Sequence, residues 1–179
     1  DKKIPYELPV LTSLMPDPSE MTTWETAWSG IGQPVGEHAS PAGPQATVFQ
    51  MALVASGLAN DGKVMKPYVI SEIGGKSSSG ILSTTKGSVL TTACSPSVAN
   101  EVTDAMKAVV KVGSGRGAAL SGVEVAGKTG TAEIGKDKTP NAWFIAFAPA
   151  DNPQVALAIM LENGGQGGRI AAPAAKQVL

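Results

Sequence analysis

Three segments in the C-terminal third of the chain have the hydrophobic patterns of neighbouring strands. Val123–Glu133 begins with alternating apolar and polar residues, the pattern of a strand with one covered face. Ala142–Ala148 and Val155–Leu161 are apolar at almost every position, as in strands that are covered on both faces. Short segments with glycine, proline or asparagine separate the three. We therefore predict three antiparallel neighbours with Ala142–Ala148 in the centre.

Apolar residues at helical spacing predict two long helices. Pro44–Ala59 is predicted as a core helix that has Pro44 in its first turn and ends at Asn60-Asp61-Gly62. Its apolar stripe consists of Val48, Met51, Ala52, Ala55, Leu58 and Ala59. A second helix is expected after Ser95, which caps it, with Pro96 in the first turn. Its predicted buried face is formed by Val98, Val102, Met106, Val109 and Val110.

Two shorter helices are expected towards the ends of the chain. Glu20–Ser29 is predicted to be one, with Trp24 and Trp28 as packing residues on its apolar side. Arg169–Leu179 is predicted to be the other, with an apolar side made of Ile170, Ala174, Val178 and Leu179. Together with the strands, these helices predict an α+β fold in which an antiparallel sheet is flanked by helices.

The segment between the long helices is predicted to be extended. Lys63–Ile73 is interrupted by Pro67, and Ile81–Ala93 has the composition of one strand or two short ones. Within it, Ser83 and Lys86 match the Ser-x-x-Lys spacing of a serine nucleophile and its base. That chemistry needs the serine at a helix N-terminus and the lysine one turn later. Because the surrounding residues predict a strand, Ser83 is not expected to be catalytic.

Length, composition and charge exclude several classes of function. The chain has 179 residues, of which 42% are apolar and 16% charged, as expected for one folded domain. A net charge of −1 without a basic stripe argues against nucleic acid as a partner. One histidine, His38, and one cysteine, Cys94, are too few for a zinc cluster, and no metal or cofactor is predicted. His38 is expected in an exposed loop and Cys94 near the start of a helix.

The candidate chemistry lies in Lys128-Thr129-Gly130, within the first predicted strand. Alternation along a strand places Lys128 and Gly130 on one face, and Thr129 and Thr131 on the other. Because Gly130 has no side chain, an extended ligand can approach the backbone beside a cation, two hydroxyls and free N–H groups. This combination predicts a site for an anionic or carbonyl-bearing ligand along an edge strand. The alternative is a polar strand end with an ordinary surface lysine.

Several further segments accompany this motif in a fixed order. They are Ser29-Gly30-Ile31-Gly32-Gln33, Pro44–Ala52, Ala59–Pro67, Gly113-Ser114-Gly115, Ala126–Glu133 and Ala142–Pro149. Lys-Thr-Gly itself is a motif of penicillin-binding proteins and class A β-lactamases. In order and spacing, the segments closely resemble the C-terminal half of the transpeptidase domain of class B penicillin-binding proteins, from about Ile31 to Leu161. The resemblance implies the fold of penicillin-binding transpeptidases and serine β-lactamases, with Ile31–Gln33 close to the active site.

The resemblance also implies a role for each residue of the motif. Lys128 provides the positive charge of the catalytic site, and the N–H of Thr131 gives half of the oxyanion hole. The hydroxyls of Thr129 and Thr131 bind the carboxylate of a donor peptide or of a β-lactam, while Gly130 keeps the groove open. The family's serine nucleophile lies upstream of the matched region, and its Ser-x-Asn motif does not occur in this chain. We therefore interpret residues 1–179 as the C-terminal part of a transpeptidase domain that lacks its nucleophile-bearing half.

The function implied by the resemblance is cross-linking of peptidoglycan stem peptides by serine acyl transfer, with β-lactams as inhibitors. The chain alone is expected to be inactive, and to dimerise, swap elements or associate with the missing half. The parent protein is expected at the bacterial extracytoplasmic face, anchored in the membrane by a segment that is not present here. Two alternatives remain open: a fragment of a serine β-lactamase or β-lactam sensor, and a noncatalytic binding or scaffold module.

Overall fold

The computed structural model of the chain describes residues 3–33, 43–75 and 80–179. The helices are α1 Thr23–Ser29, α2 Val48–Ala59, α3 Pro96–Lys111 and α4 Ala171–Lys176. The strands are β1 Lys63–Met65, β2 Glu72–Gly74, β3 Ile81–Thr84, β4 Val89–Thr92, β5 Ala126–Ala132, β6 Asn141–Ala148 and β7 Val155–Leu161. His38, for which an exposed loop was expected, lies outside the described residues. Among the described residues, no helix has the length and apolar character to cross a membrane.

The three C-terminal strands form one antiparallel sheet in the order β5-β6-β7, which confirms the predicted arrangement and its central strand. The register between β5 and β6 runs without a bulge from Ala126 opposite Phe147 to Ala132 opposite Asn141. β5 begins at Ala126, so the prediction that the strand starts at Val123 is wrong. The reason lies in its partner. Because β6 ends at Ala148 and is followed by Pro149, which has no N–H to donate, the regular ladder stops there, and beyond it a single backbone bond joins the N–H of Ala150 to the carbonyl oxygen of Glu124.

Helices cover both faces of this sheet, as the α+β prediction requires. On one face, Met106 of α3 packs with Ala126 and Phe147, and Leu58 of α2 lies against the same cluster. On the other face, Phe144 is fully buried in a cluster that includes the small residues Ala171, Ala172 and Ala175 of α4. The sheet is therefore covered by α2 on one side and α4 on the other, and α3 contributes to both clusters, with Met106 on the α2 side and Val110 on the α4 side.

Helix α2 begins at Val48, four residues later than predicted. The side chain of Thr47 caps it by accepting a hydrogen bond from the N–H of Gln50 at 3.1 Å. The residues before Thr47 are extended because Leu14 and Gln45 exchange two backbone hydrogen bonds of 2.8 and 2.9 Å. The predicted end is confirmed, since Gly62 has a φ of +80° just after the helix.

Helix α3 confirms Ser95 as its cap and Pro96 as its first residue, and its buried face was predicted correctly at Met106 and Val110 but not at Val98 and Val102. The buried residues are Ala99, Met106 and Val110, at helical spacing. Val98 and Val102 are 46% and 37% exposed. The prediction considered only large apolar side chains and omitted Ala99, so the error is confined to the N-terminal half of the helix.

The short helices differ from prediction in similar ways. Thr22 and Glu25 form a reciprocal capping box at the start of α1, with Glu25 buried beneath it. Trp24 is 63% exposed and stacks on Trp28 with ring centroids 5.6 Å apart, so the packing role expected for Trp24 is wrong. The buried side of α4 consists of alanines. The apolar side predicted for the terminal helix is wrong at Ile170 and Val178, which are exposed, whereas Leu179 packs against the core as predicted.

The segment between α2 and α3 forms two small antiparallel sheets, β1 with β4 and β2 with β3. This agrees with the prediction of extended structure and with the second of its two options, two short strands. Ser83 lies in β3, opposite Ile73 of β2. It is not at a helix N-terminus, so its match to the Ser-x-x-Lys spacing has no structural support.

Candidate functional site

Strand β5 carries Lys-Thr-Gly on an edge of the sheet. It pairs with β6 on one side, and no described strand pairs with the other. Its backbone is nevertheless contacted there: the ammonium of Lys128 donates to the carbonyl oxygen of Thr129 at 2.8 Å. The side-chain amide of Gln33 donates to the carbonyl oxygen of Thr131 at 3.2 Å and accepts from the N–H of Glu133 at 3.4 Å. These contacts identify the odd-numbered residues as the ones whose backbone groups point to the free edge.

The backbone N–H of Thr131 therefore also points to the free edge. In an antiparallel strand the N–H and C=O of one residue point to the same side, and the C=O of Thr131 is the group that Gln33 contacts. The described residues provide no partner for this N–H. A donor that is fixed by the sheet and open to a ligand is the type of group that stabilises a developing negative charge.

The side chains of the motif divide between the two faces of the sheet, as alternation predicts. Lys128 lies opposite Ile145 and Gly130 opposite Trp143, on the face covered by α2 and α3. Thr129 lies opposite Phe144 and Thr131 opposite Ala142, on the face covered by α4. The cation and the two hydroxyls thus reach the free edge from opposite sides, with the bare backbone of Gly130 between them.

Ser114 is one of the residues that the sequence did not identify as part of this site. Its hydroxyl oxygen lies 2.7 Å from the hydroxyl oxygen of Thr129, a hydrogen-bonding distance. Ser114 belongs to the glycine-rich turn after α3, which was identified in the sequence only as one of the segments that accompany the Lys-Thr-Gly motif. The position of Ser114 between two glycines, Gly113 and Gly115, is the sequence feature that could have drawn attention to it. Nothing in the sequence indicated which group its hydroxyl contacts.

The loop 163–168 lies over the same face of the sheet. The loop is hydrogen-bonded at both ends. The N–H of Gly165 donates to the carbonyl oxygen of Pro140 at 2.9 Å, and the N–H of Ala172 donates to the carbonyl oxygen of Gly167 at 2.9 Å. Gly167 is buried against the backbone of the sheet. A β-carbon there would collide with the carbonyl oxygens of Gly130 and Trp143.

A pocket of about 390 Å³ lies between this loop and β5. It is lined by Ser114, Thr129, Thr131, Gln166, Gly168 and Arg169. Arg169 is the only formally charged residue of this lining, and three hydroxyl groups accompany it. Gln166 and Arg169 were not predicted as site residues, because they come from a separate loop whose approach to β5 depends on Gly167. The pocket's chemistry suits a small anion such as a carboxylate.

A second pocket of about 260 Å³ lies beside α3, lined partly by Lys107, Val123 and Glu124. Lys107 donates to the carboxylate of Glu124 at 2.8 Å and lies 3.5 Å from Asp104. The hydrogen bond to Glu124 raises the pKa of Lys107 above its ordinary value. This ion pair ties α3 to the segment that leads into β5, so its role in the fold is to position the strand.

Comparison with known proteins identifies the family to which the chain belongs. A family model described as the penicillin-binding protein transpeptidase domain matches residues 15–179. The peptidoglycan D,D-transpeptidase PbpA of Mycolicibacterium smegmatis is 45% identical over 135 residues, covering 71% of this chain and 27% of that protein. The chain thus spans about a quarter of the length of this relative.

Solved structures give the same result. The D,D-transpeptidase domain of a peptidoglycan glycosyltransferase from Eggerthella lenta superposes with a TM-score of 0.90 at 38% identity, covering 99% of this chain and 43% of that one. The imipenem acyl-enzyme of penicillin-binding protein A from M. tuberculosis has a TM-score of 0.66 at 38% identity, covering 74% and 30%. On these grounds the chain belongs to the penicillin-binding protein transpeptidase family, as part of a class B transpeptidase domain.

Proposed function

We propose that this chain forms the Lys-Thr-Gly side of the active site of a peptidoglycan D,D-transpeptidase. The observation that supports this most strongly is the free edge of β5. There the N–H of Thr131 is open, Gly130 leaves the backbone accessible, and the hydroxyls of Thr129 and Thr131 line a pocket that also contains Arg169.

The donor substrate is a stem peptide that ends in D-Ala-D-Ala. Its extended backbone aligns beside β5, where Gly130 presents no side chain to obstruct it. Its terminal carboxylate accepts hydrogen bonds from the hydroxyls of Thr129 and Thr131, and the guanidinium of Arg169 adds positive charge to the same pocket. A β-lactam carries a comparable carboxylate next to a reactive amide, so it occupies the same groove.

The reaction is acyl transfer to and from a serine that lies outside this chain. The serine oxygen attacks the carbonyl carbon between the two D-alanines, and the carbonyl oxygen becomes an oxyanion that accepts from the N–H of Thr131. Collapse of this intermediate breaks the C–N bond and releases D-alanine, which takes a proton from the site. An amine of a neighbouring stem peptide then displaces the serine and forms the cross-link.

Lys128 contributes charge rather than a covalent bond. Its ammonium lies at the free edge, within 2.8 Å of the carbonyl oxygen of Thr129. The nucleophile-bearing half approaches this edge in the complete domain, so Lys128 is placed to stabilise negative charge that develops there. The proposal thus assigns Lys128 and Thr131 to catalysis, and Thr129, Gly130 and Thr131 to substrate binding.

The setting of the parent protein follows from its substrate. Peptidoglycan is cross-linked outside the cytoplasm, so the site works at the extracytoplasmic face of the bacterial membrane, held there by an anchor outside this chain. The structures of penicillin-binding protein A from M. tuberculosis include imipenem and penicillin G acyl-enzymes, which supports β-lactams as ligands of the present site. The names of the relatives favour a transpeptidase over a β-lactamase or a sensor.

Labelling with a fluorescent penicillin tests this proposal. The chain is purified alone and as the intact transpeptidase, meaning the protein that contains it together with the segment bearing the serine nucleophile. We expect label only in the intact transpeptidase, on a serine outside residues 1–179, because this chain lacks the nucleophile. A stable adduct on any serine of the isolated chain, or an intact protein that takes up no label, contradicts the proposal. Rapid loss of the label by hydrolysis supports a β-lactamase instead.

A further inference from the structure

Ser114 is fixed by the backbone on either side of it. The N–H groups of Gly113 and Gly115 both donate to the carbonyl oxygen of Val109 in α3, at 3.1 and 2.9 Å. Gly168 lies against the carbonyl oxygen of Ser114, where a β-carbon would collide with it. The turn is therefore anchored to α3 and covered by the loop 163–168, so the hydroxyl of Ser114 is held at its position beside Thr129.

The hydrogen bond between Ser114 and Thr129 has a direction that depends on the ligand. Each hydroxyl has one proton to donate, and a carboxylate can only accept. If Thr129 donates to Ser114, its proton is not available to a carboxylate in the pocket. If Ser114 donates to Thr129 instead, the proton of Thr129 is free to point into the pocket, and its oxygen is polarised by the bond that it receives.

We propose that Ser114 is a positioning residue that directs the hydroxyl proton of Thr129 towards the carboxylate of the substrate. This inference rests on the proposed function of the site. The hydroxyl of Ser114 donates to the oxygen of Thr129, and the hydroxyl of Thr129 donates to the carboxylate. Both hydrogen bonds therefore run in the same direction, from Ser114 through Thr129 to the ligand. The bond also selects one rotamer of Thr129, which otherwise has more than one staggered position available.

Arg169 cannot supply this effect. A guanidinium in the same pocket attracts the carboxylate through charge, which acts on both of its oxygens and falls off gradually with distance. The Ser114–Thr129 pair acts through one oriented hydrogen bond. Loss of Ser114 should therefore weaken recognition of a carboxylate more than recognition of a neutral ester in its place, because a hydrogen bond to an ionised acceptor is roughly twice as strong.

The experiment measures acylation of the intact transpeptidase by benzylpenicillin and by its methyl ester, as second-order rate constants. The variants are Ser114→Ala, Ser114→Thr and, as a control, Ser97→Ala, which removes an exposed hydroxyl on α3. We expect Ser114→Ala to slow acylation by penicillin roughly tenfold, with a smaller effect on the ester of roughly threefold. Ser114→Thr, which keeps a hydroxyl, should restore most of the rate, and Ser97→Ala should match the wild type.

The outcomes separate the inference from the proposed function. If the wild type is acylated but Ser114→Ala slows penicillin and ester equally, Ser114 has only a structural role and the inference is overturned. An unchanged rate in Ser114→Ala, or no recovery in Ser114→Thr, also overturns it. If neither the wild type nor Ser97→Ala is acylated, the proposed function itself has failed.

Discussion

The side-chain amide of Gln33 is hydrogen-bonded to the backbone of Thr131, 98 residues further along the chain. Together with its contact to the N–H of Glu133, this bond pairs Gln33 with β5 much as a neighbouring strand would. The contact begins beyond the N–H of Thr131 and leaves that N–H open, and at Thr129 the contact to the free edge comes from the ammonium of Lys128. Gln33 thus caps one end of the groove that we propose for the donor peptide.

Replacement of Gln33 by alanine should impair the site more than the fold. Both hydrogen bonds are exposed, so we expect a loss of at most about 1 kcal/mol in the free energy of unfolding. Acylation of the intact transpeptidase should slow roughly tenfold, because the end of β5 loses its support beside the oxyanion donor. Urea denaturation and acylation by labelled penicillin measure the two effects. Gln154→Ala, which removes an exposed amide with only local bonds, is the control, and equal behaviour of the two variants contradicts the role of Gln33.

Substitution of Gly167 by alanine should destabilise the fold. The new β-carbon would collide with the carbonyl oxygens of Gly130 and Trp143, so the loop must move away from the sheet. We expect a loss of about 1–3 kcal/mol in the free energy of unfolding, measured by urea denaturation. Gly74→Ala is the matched control, because apart from its chain neighbours no atom of residues 3–33, 43–75 and 80–179 lies within 4 Å of a β-carbon at that position. If Gly167→Ala unfolds at the same midpoint urea concentration as the wild type, the loop does not approach β5 as closely as the structure describes.

The Lys107–Glu124 ion pair should make stability depend on pH in the alkaline range. Its hydrogen bond raises the pKa of Lys107 in the folded chain above that of an unfolded lysine. The stabilising contribution is therefore fully present below the unfolded lysine pKa of about 10.4, and is lost as the pH rises through the higher folded value.

Urea denaturation between about pH 8 and pH 12 tests this linkage. Lys107→Met should be less stable than the wild type at the lower pH, and the difference should shrink towards the upper end. Lys111→Met, one turn later on the same helix, is the control and should follow the wild-type curve. If the difference in the free energy of unfolding between Lys107→Met and the wild type stays constant with pH, the ion pair is not the cause of that difference.

The isolated chain should not remain a dispersed monomer. Val98 and Val102 of α3 are exposed, and several apolar residues of β3 and β4 are exposed with them, among them Ile81, Leu82 and Val89. Contiguous apolar patches above roughly 600 Å² are uncommon on soluble monomers. We therefore expect a homodimer, an exchange of elements, or association with the nucleophile-bearing half when that is present. Native mass spectrometry distinguishes these states, and a stable monomer at micromolar concentration contradicts the expectation.

Local pattern was sufficient to predict the order of the strands in the sheet and the limits of two of them. Uninterrupted apolar runs bounded by turn residues placed β7 at its observed limits and β6 within one residue. The start of α2 was not predictable in this way. Pro44 suits a first helical turn, but the bridge between Leu14 and Gln45 draws that segment into an extended form, and the sequence gives no indication of so distant a partner.

In the candidate site, too, local pattern predicted residues that are adjacent in sequence but not those brought in from distant segments. Lys128, Thr129, Gly130 and Thr131 are adjacent in sequence, so alternation alone predicted which faces they occupy. Ser114 and Arg169 reach the pocket through two glycine-rich turns. Their approach depends on the absence of a β-carbon at Gly167 and Gly168, which is a property of packing rather than of any local pattern. The resemblance to transpeptidases did anticipate Gln33 near the site, because it carries tertiary information that the residues alone do not.

Acylation of the intact transpeptidase in the Lys128→Ala variant tests the central claim most directly. The comparison is with Lys136→Ala, which removes an exposed lysine from the turn between β5 and β6. If the chain forms the Lys-Thr-Gly side of the active site, Lys128→Ala should lower the second-order rate constant for labelled penicillin by roughly a hundredfold or more, and Lys136→Ala should leave it unchanged. A Lys128→Ala protein that is acylated at the wild-type rate would contradict the assignment of this strand edge to the active site.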